Sequence, residues 1–216
     1  MIISESKKFI FIKSRKTAGS SIQIELSKVA CDKHDIVTGS VWDFGTEKSD
    51  ESYGAGRNAH WFQPTHPHPP IKAIKKWVTD AYWDDYFKFT VVRNPFDLTV
   101  SRYHWDRKFK EGKKVTSVED FRDWVKTGNL RNYDRLWQYA GIGDRLEVDF
   151  VIRYENLKAD FDKVCGLIGI ERTELGNHKS GYRNSEDNYR EFYDEESKLI
   201  VQDFFSEDLQ KFGYTF

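Results

Sequence analysis

The sequence is nearly without cysteine: Cys31 and Cys165 are the only two in 216 residues. They are far apart, lack metal-type spacing and sit in no disulfide-dense context, so both are read as reduced structural residues. Proline is also scarce, and four of the five prolines fall between Pro64 and Pro70. An excess of charge of either sign is missing too. Lys plus Arg number 34 against 35 Asp plus Glu, a net charge of −1, which removes bulk electrostatics as a reason to bind nucleic acid and makes any anion site a local one. Long apolar runs are absent. The stretch Met1 to Lys8 is too short for a signal peptide and no segment is long enough to span a bilayer, so the expected setting is the cytoplasm, without a membrane or nucleic-acid partner. Aromatic residues, by contrast, make up 16% of the chain and hydrophobic residues 38%. That supplies a core large enough for one domain over residues 1–216.

Everything else is arranged around Phe9-Ile-Phe-Ile-Lys-Ser-Arg-Lys-Thr-Ala-Gly-Ser-Ser-Ile22. The apolar run reads as a buried strand, the Lys/Thr/Gly/Ser stretch as a short loop, and Ile22, Leu26 and Val29 as one face of a helix running to about Ala30. A strand feeding a loop that opens a helix presents backbone N–H groups and the positive end of the helix dipole to an anion. Lys16 adds a mobile charge. The pattern G-x-x-x-x-G-K-[ST] is not met, because its first glycine is missing and the lysine precedes Gly19. An ordinary ATPase or GTPase is therefore not the leading reading.

Periodicity fades over residues 32–70, where glycine, asparagine, proline and histidine accumulate, and this region is expected to be irregular and exposed. Counting His34, it carries four of the six histidines. Loops of this length within compact domains are often functional. Ile71 to Val78 is predicted as a helix with Ile71, Ile74, Trp77 and Val78 on its buried face, and Tyr86 to Arg93 as a strand. Asn94-Pro95 then starts a helix extending to about Lys108. Ser117 to Asp120 resembles a capping box ahead of Phe121, Trp124 and Val125. Leu146 to Tyr154 is predicted as a further strand, followed by a helix through Leu157, Phe161, Val164, Cys165 and Ile168. Asp194 caps a segment whose apolar residues are Leu199, Ile200, Val201 and Phe204, and Ser206 opens a last turn with acidic residues at its positive end. Three strand-helix units define an α/β fold with a mainly parallel, P-loop-like sheet flanked by helices.

In such a sheet the strand-to-helix loops gather at the carboxyl edge, so the Lys16 loop and the segment from Arg93 to Ser101 can serve one ligand carrying two phosphate groups. Arginine supplies a forked donor set and serine a hydroxyl. Taken singly, Arg93 reads more readily as a surface ion pair and Ser101 as a small polar filler.

Together the segments resemble the sulfotransferases that use 3′-phosphoadenosine 5′-phosphosulfate, PAPS. Lys16-Thr-Ala-Gly-Ser-Ser21 is similar to their 5′-phosphosulfate loop, and Phe89-Thr-Val-Val-Arg-Asn-Pro-Phe-Asp-Leu-Thr-Val-Ser-Arg-Tyr103 to their 3′-phosphate motif. Asp149-Phe-Val-Ile-Arg-Tyr-Glu-Asn-Leu157 and the end from Tyr189 to Phe216 are similar to the carbohydrate branch. The resemblance implies a sulfotransferase fold, PAPS as sulfuryl donor, no metal, and a hydroxyl-bearing acceptor of carbohydrate type. It implies that Lys16 contacts the transferring group and the bridging oxygen. The backbone of Thr17, Ala18, Gly19, Ser20 and Ser21, with the hydroxyls of Thr17, Ser20 and Ser21, would cradle the 5′-phosphate. Arg93, Ser101 and, by a looser match, Lys179 would hold the 3′-phosphate.

An in-line displacement also calls for a base on the acceptor hydroxyl. His68, ahead of Pro69-Pro70 and a helix, is the first candidate, His66 the second and His60 the third. These histidines also read as solvent-exposed turn residues, or as a His-x-His metal pair lacking further ligands. Trp42, Trp61 and Trp105 flank the irregular region and are read as packing residues or as the wall of an acceptor cleft. The alternatives carried forward are a nucleotide kinase with a divergent phosphate loop and a non-catalytic module that binds the desulfated nucleotide PAP.

Overall fold

The computed structural model describes residues 1–30, 34–38, 68–110, 112, 117–172, 174–176 and 188–216. In chain order the elements are β1 (Ile2–Ser4), β2 (Phe9–Ile12), α1 (Gly19–Val29), β3 (Ile36–Val37), α2 (Ile71–Trp77), α3 (Asp80–Asp85), β4 (Phe87–Val92), α4 (Pro95–Trp105), α5 (Val118–Lys126), β5 (Gly141–Ile142), β6 (Arg145–Leu146), β7 (Phe150–Arg153), α6 (Leu157–Leu167), α7 (Glu195–Phe204) and α8 (Ser206–Phe212). The chain divides into two compact units, residues 1–92 with 138–178 and residues 93–137 with 179–216. Among the described residues no helix is long and apolar enough to cross a membrane.

The first unit is built on a five-stranded sheet in the order β3-β1-β2-β4-β7. Its centre is parallel: Phe11 of β2 pairs with Phe89 of β4, and Val91 of β4 with Ile152 of β7. Phe9, Phe11, Phe89 and Val91 pack with Ile22 and Leu26 of α1 and with Phe161, Val164 and Cys165 of α6 in one core. The Phe11 and Phe89 rings stack at 5.1 Å between centroids. Ile10 and Ile12, on the opposite face of β2, are also fully buried, so β2 is covered on both faces, as expected of a central strand in an α/β sheet.

The mixed α/β class is that predicted, but the sheet's edge is not. β1 and β3 pair antiparallel beside β2, and at three and two residues they are too short to produce a periodic signal in the sequence. Asp35, buried, holds the β1–β2 turn by accepting hydrogen bonds from the Glu5 amide at 2.7 Å and the Ser4 hydroxyl at 2.8 Å. The strand predicted over Leu146 to Tyr154 is shorter, Phe150–Arg153, and Leu146 belongs instead to the β5–β6 ribbon. Trp77, predicted to be buried, is 37% exposed, and Val78 just beyond the helix takes the inner position. α3 was not anticipated.

In the second unit, Asn94 caps α4 as predicted, accepting from the Phe96 amide at 3.0 Å, with Pro95 in the first turn. The α-helix stops at Trp105 and widens into a π-helical turn, Asp106–Lys110. Ser117 caps α5, whose Phe121, Trp124 and Val125 are buried. Tyr193 packs edge-on against Phe96, Phe121 and Phe216, and its hydroxyl donates to the Phe96 carbonyl at 2.8 Å. Along α7 the buried residues are Ser197 and Val201, continued four residues on by Phe205 just past its end, and Leu199 is 59% exposed. Leu199, two residues before Val201, is turned outward by helical geometry.

Two carboxylates of this unit act on stability with opposite signs. Asp194 caps α7 and exchanges hydrogen bonds with Ser197, which hold its carboxyl well below the usual carboxylate range. That contribution is present at neutral pH and lost only in acid. Asp208, in the first turn of α8 and fully buried, accepts from the Leu136 and Trp137 amides at 2.9 and 2.7 Å. Burial nevertheless pushes its carboxyl up to about 6 from 3.8. The folded state then binds this proton more tightly than the unfolded chain, so its contribution is fully present below 3.8 and is lost as pH rises to about 6. The loss is on the order of 3 kcal/mol. Urea unfolding across this window should show the decline in the wild-type protein and a flatter curve in Asp208→Asn; equal slopes would remove Asp208 as its source.

Candidate functional site

β2 delivers the chain into a loop whose backbone is unusual for the residues it contains. Lys16 and Ala18 both lie in the left-handed region, with φ of 60° and 63°, a conformation costing a non-glycine residue roughly 1–3 kcal/mol. Alternating left-handed residues turn successive amides toward one concave side, which suits an anion. α1 follows at once. Its N-cap, Ala18, offers no side-chain hydrogen bond, and its first turn has no acidic residue. The helix's first backbone bond runs from the Ile22 amide to the Ala18 carbonyl at 3.2 Å, so the amides of Gly19, Ser20 and Ser21 precede the ladder. The positive end of an eleven-residue helix is thus left without an acidic side chain of its own.

The loop is folded tightly onto the strand it leaves. A Cβ at Gly19 would lie 2.8 Å from Lys13 Cγ and 3.1 Å from the Ser14 carbonyl oxygen. Glycine is required there for space, since its φ is not positive. Lys13 and Ser14 are each 1% exposed and Thr17 is 0% exposed. Ser14 Oγ lies 2.5 Å from the Val91 carbonyl oxygen and 2.6 Å from Thr17 Oγ1. The Thr17 hydroxyl, expected at a phosphate, is directed into the loop. Lys16 and Ser20 are half-buried and Ser21 is buried.

His68 stands beside this loop. Its Nδ1 lies 3.2 Å from the Lys13 carbonyl oxygen. A carbonyl only accepts, so Nδ1 carries the hydrogen and the neutral ring has its lone pair on Nε2, the tautomer a general base needs. His60, His66 and Lys179, with Cys31, Trp42 and Trp61, lie outside the described residues. Among the described residues no three His, Cys, Asp or Glu side chains are grouped to hold a metal ion.

Within the second unit, Arg93 donates through Nε to Asp97 Oδ2 at 2.7 Å, and both side chains are largely buried. Asp97 was not singled out from the sequence, although its place four residues after Arg93 and in the first turn of a helix was a usable signal. Ser101, four residues further and half-buried, falls on the same face of α4. The carboxylate fixes the guanidinium plane by its bond to Nε. Asn94 braces the same corner by donating to the Thr215 carbonyl at 2.8 Å.

An α/β sheet with a left-handed, lysine-bearing loop at the start of a helix whose N-cap makes no side-chain hydrogen bond is an arrangement of P-loop-like class that suits an oxyanion. The family follows from comparison: the sulfotransferase family model matches residues 1–215, and the chain belongs to that family. An uncharacterised protein of Archaeoglobus fulgidus is 31% identical over 103 residues, covering 47% of this chain and 82% of that one. The crystal structure of mouse sulfotransferase SULT7A1 complexed with PAP superposes with a TM-score of 0.52 at 14% identity, covering 96% of this chain and 86% of that one. This second likeness concerns the fold alone.

The loop's geometry gives opposite expectations for adjacent residues. Ala18→Gly should raise unfolding stability by roughly 1 kcal/mol by relieving the left-handed strain. Gly19→Ala should lower it by about 1–3 kcal/mol through the close approach of Lys13 and Ser14. Chemical denaturation of the two variants checks both, and a stabilising Gly19→Ala would refute the packing argument.

Proposed function

We propose that this chain transfers a sulfuryl group from PAPS to an acceptor hydroxyl, with a carbohydrate as the acceptor class, and that residues 1–216 act as one catalytic domain in the cytoplasm. The observation that carries the reading is the strained Lys16–Ala18 loop at the N-terminus of α1, in a chain of the sulfotransferase family. The residues fit such a donor: a concave run of amides, a glycine that admits close approach, and no acidic side chain in the first helical turn to repel an anion. When bound, PAPS supplies an activated sulfuryl group. The amides of residues 17–21, with the Ser20 and Ser21 hydroxyls, bind its 5′-phosphate, and Lys16 stabilises charge on the oxygen that leaves sulfur. Arg93, oriented by Asp97, binds the 3′-phosphate with Ser101 and Lys179. His68 accepts the acceptor's proton at Nε2 as the acceptor oxygen bonds to sulfur; His66 is the second candidate and His60 the third. Positioning and electrostatics supply most of the acceleration, as in phosphoryl transfer. Residues 32–70 are the proposed acceptor side. The PAP bound in the mouse protein of the same fold supports the choice of nucleotide.

PAP at about 100 times its Kd should stabilise the native state by roughly 2.7 kcal/mol, seen as a higher Tm. Stabilisation by ATP and none by PAP would defeat the proposal, as would loss of activity in excess EDTA, which a magnesium-dependent kinase would show. A chain that binds PAP but transfers sulfate to no acceptor would be a binding module.

Assignments within the site separate kinetically. Lys16→Ala should lower kcat by about 100-fold or more with PAP affinity changed only a few-fold. Arg93→Ala should instead weaken PAP binding by about 10-fold or more. His68→Gln should lower kcat and leave PAP affinity unchanged. The reverse pattern for Lys16 and Arg93 would overturn their assignment.

A further inference from the structure

We infer that Ser14 and Thr17 are a positioning pair, a hydroxyl strap that holds the Lys16 loop in its left-handed shape, and that the Thr17 hydroxyl donates no hydrogen bond to the bound phosphate. The inference rests on the proposed PAPS site and adds Ser14, which lies outside the Lys16–Ser21 motif, to the machinery of that site.

The argument is an accounting of protons. Ser14 Oγ is 2.5 Å from the Val91 carbonyl oxygen. A carbonyl oxygen only accepts, so the single Ser14 proton points at Val91. Ser14 Oγ is also 2.6 Å from Thr17 Oγ1, and with its own proton directed to Val91 it accepts here. The Thr17 proton therefore points at Ser14, and its other contact, the Ser14 carbonyl at 3.4 Å, is also an acceptor within the loop. The chain Thr17 O–H to Ser14 O–H to Val91 C=O is directional and buried. A phosphate with ionised oxygens is an acceptor, and in this arrangement Thr17 has no proton to give it.

The strap ties three things together. It joins Ser14, the last fully buried residue before the loop, to Thr17, which sits between the two left-handed residues, and it fastens both to β4 at Val91. Breaking any link leaves a buried carbonyl or hydroxyl without its partner and removes the restraint on Lys16 and Ala18. The amides of residues 17–21 would then lose their common aim, and Lys16 with them. Thr17 thus serves the anion site through loop shape. A direct phosphate contact by the same hydroxyl would leave Ser14 irrelevant.

A double-mutant cycle separates the two. Ser14→Ala, Thr17→Val and the double variant should each weaken PAP binding and lower kcat by a similar factor, about 3- to 10-fold. The double variant should be no more than about twofold worse than the worse single one, because the residues act as a unit. Thr17→Ser, which keeps the hydroxyl, should restore binding to within about twofold of wild type. The strap is overturned if Thr17→Val is impaired while Ser14→Ala matches wild type, or if the two effects multiply. Amide exchange at residues 16–21, measured on the same four proteins without nucleotide, is the second readout: both single variants should raise it to the same degree, and unchanged exchange overturns the strap. If the wild-type chain binds no PAP, the PAPS reading fails and the exchange data alone decide the strap.

Discussion

The parallel pairing of β2 with β4 is the constraint from which the rest follows. It is secured by the Phe11–Phe89 stack and by a core that covers both faces of β2. Parallel register brings the carboxyl ends of the two strands to the same edge of the sheet. One end opens directly into the Lys16 loop, and the other runs through Val92 into Arg93. The Thr90 hydroxyl donates to the Ile12 carbonyl at 2.8 Å and the Ser14 hydroxyl to Val91, so the two strand ends are also linked by side chains at and just beyond the last paired residues.

Buried acids show what is special about that loop. Asp35 holds the β1–β2 turn, Asp160 accepts from the Arg153 amide at 3.0 Å, and Asp208 accepts from Leu136 and Trp137. In each case a carboxylate satisfies backbone N–H groups that a turn or strand end would otherwise expose. The chain therefore has a repeated solution for such amides, and at the start of α1, where a carboxylate would also complement the dipole, it does not use it. With a net charge of −1, attraction for an anion has to come from this local arrangement.

Much of this was legible in the sequence because it is written in short-range chemistry. The apolar run into Lys16-Thr-Ala-Gly, Asn94-Pro95 at a helix start and Asp194 ahead of a helix each act within a few residues. What was not legible depends on partners distant in sequence. β1 exists because β2 offers it an edge, and β3 because β1 does. Trp77 and Leu199 are exposed because neighbouring positions, Val78 and Val201, take the inner places. In the site, Lys16 and Gly19 were readable as a loop pattern, and Asp97 could have been read from its spacing. The direction of the Thr17 hydroxyl could not, since it is set by Val91, seventy-four residues away in the chain.

Lys13 links the two sides of the proposed reaction. Its side chain lies under Gly19, where a Cβ would strike it, so it sets how closely the loop can fold against the strand. Its carbonyl fixes the ring of His68 through Nδ1. The residue that shapes the loop is thus also the residue that orients the proposed base, three positions before Lys16, the lysine proposed to face the leaving oxygen. An in-line transfer needs the attacking and leaving oxygens held on a common line, and errors of an ångström are expensive. Hanging both the proposed base and the loop lysine on the end of β2 ties that alignment to a central strand buried on both faces.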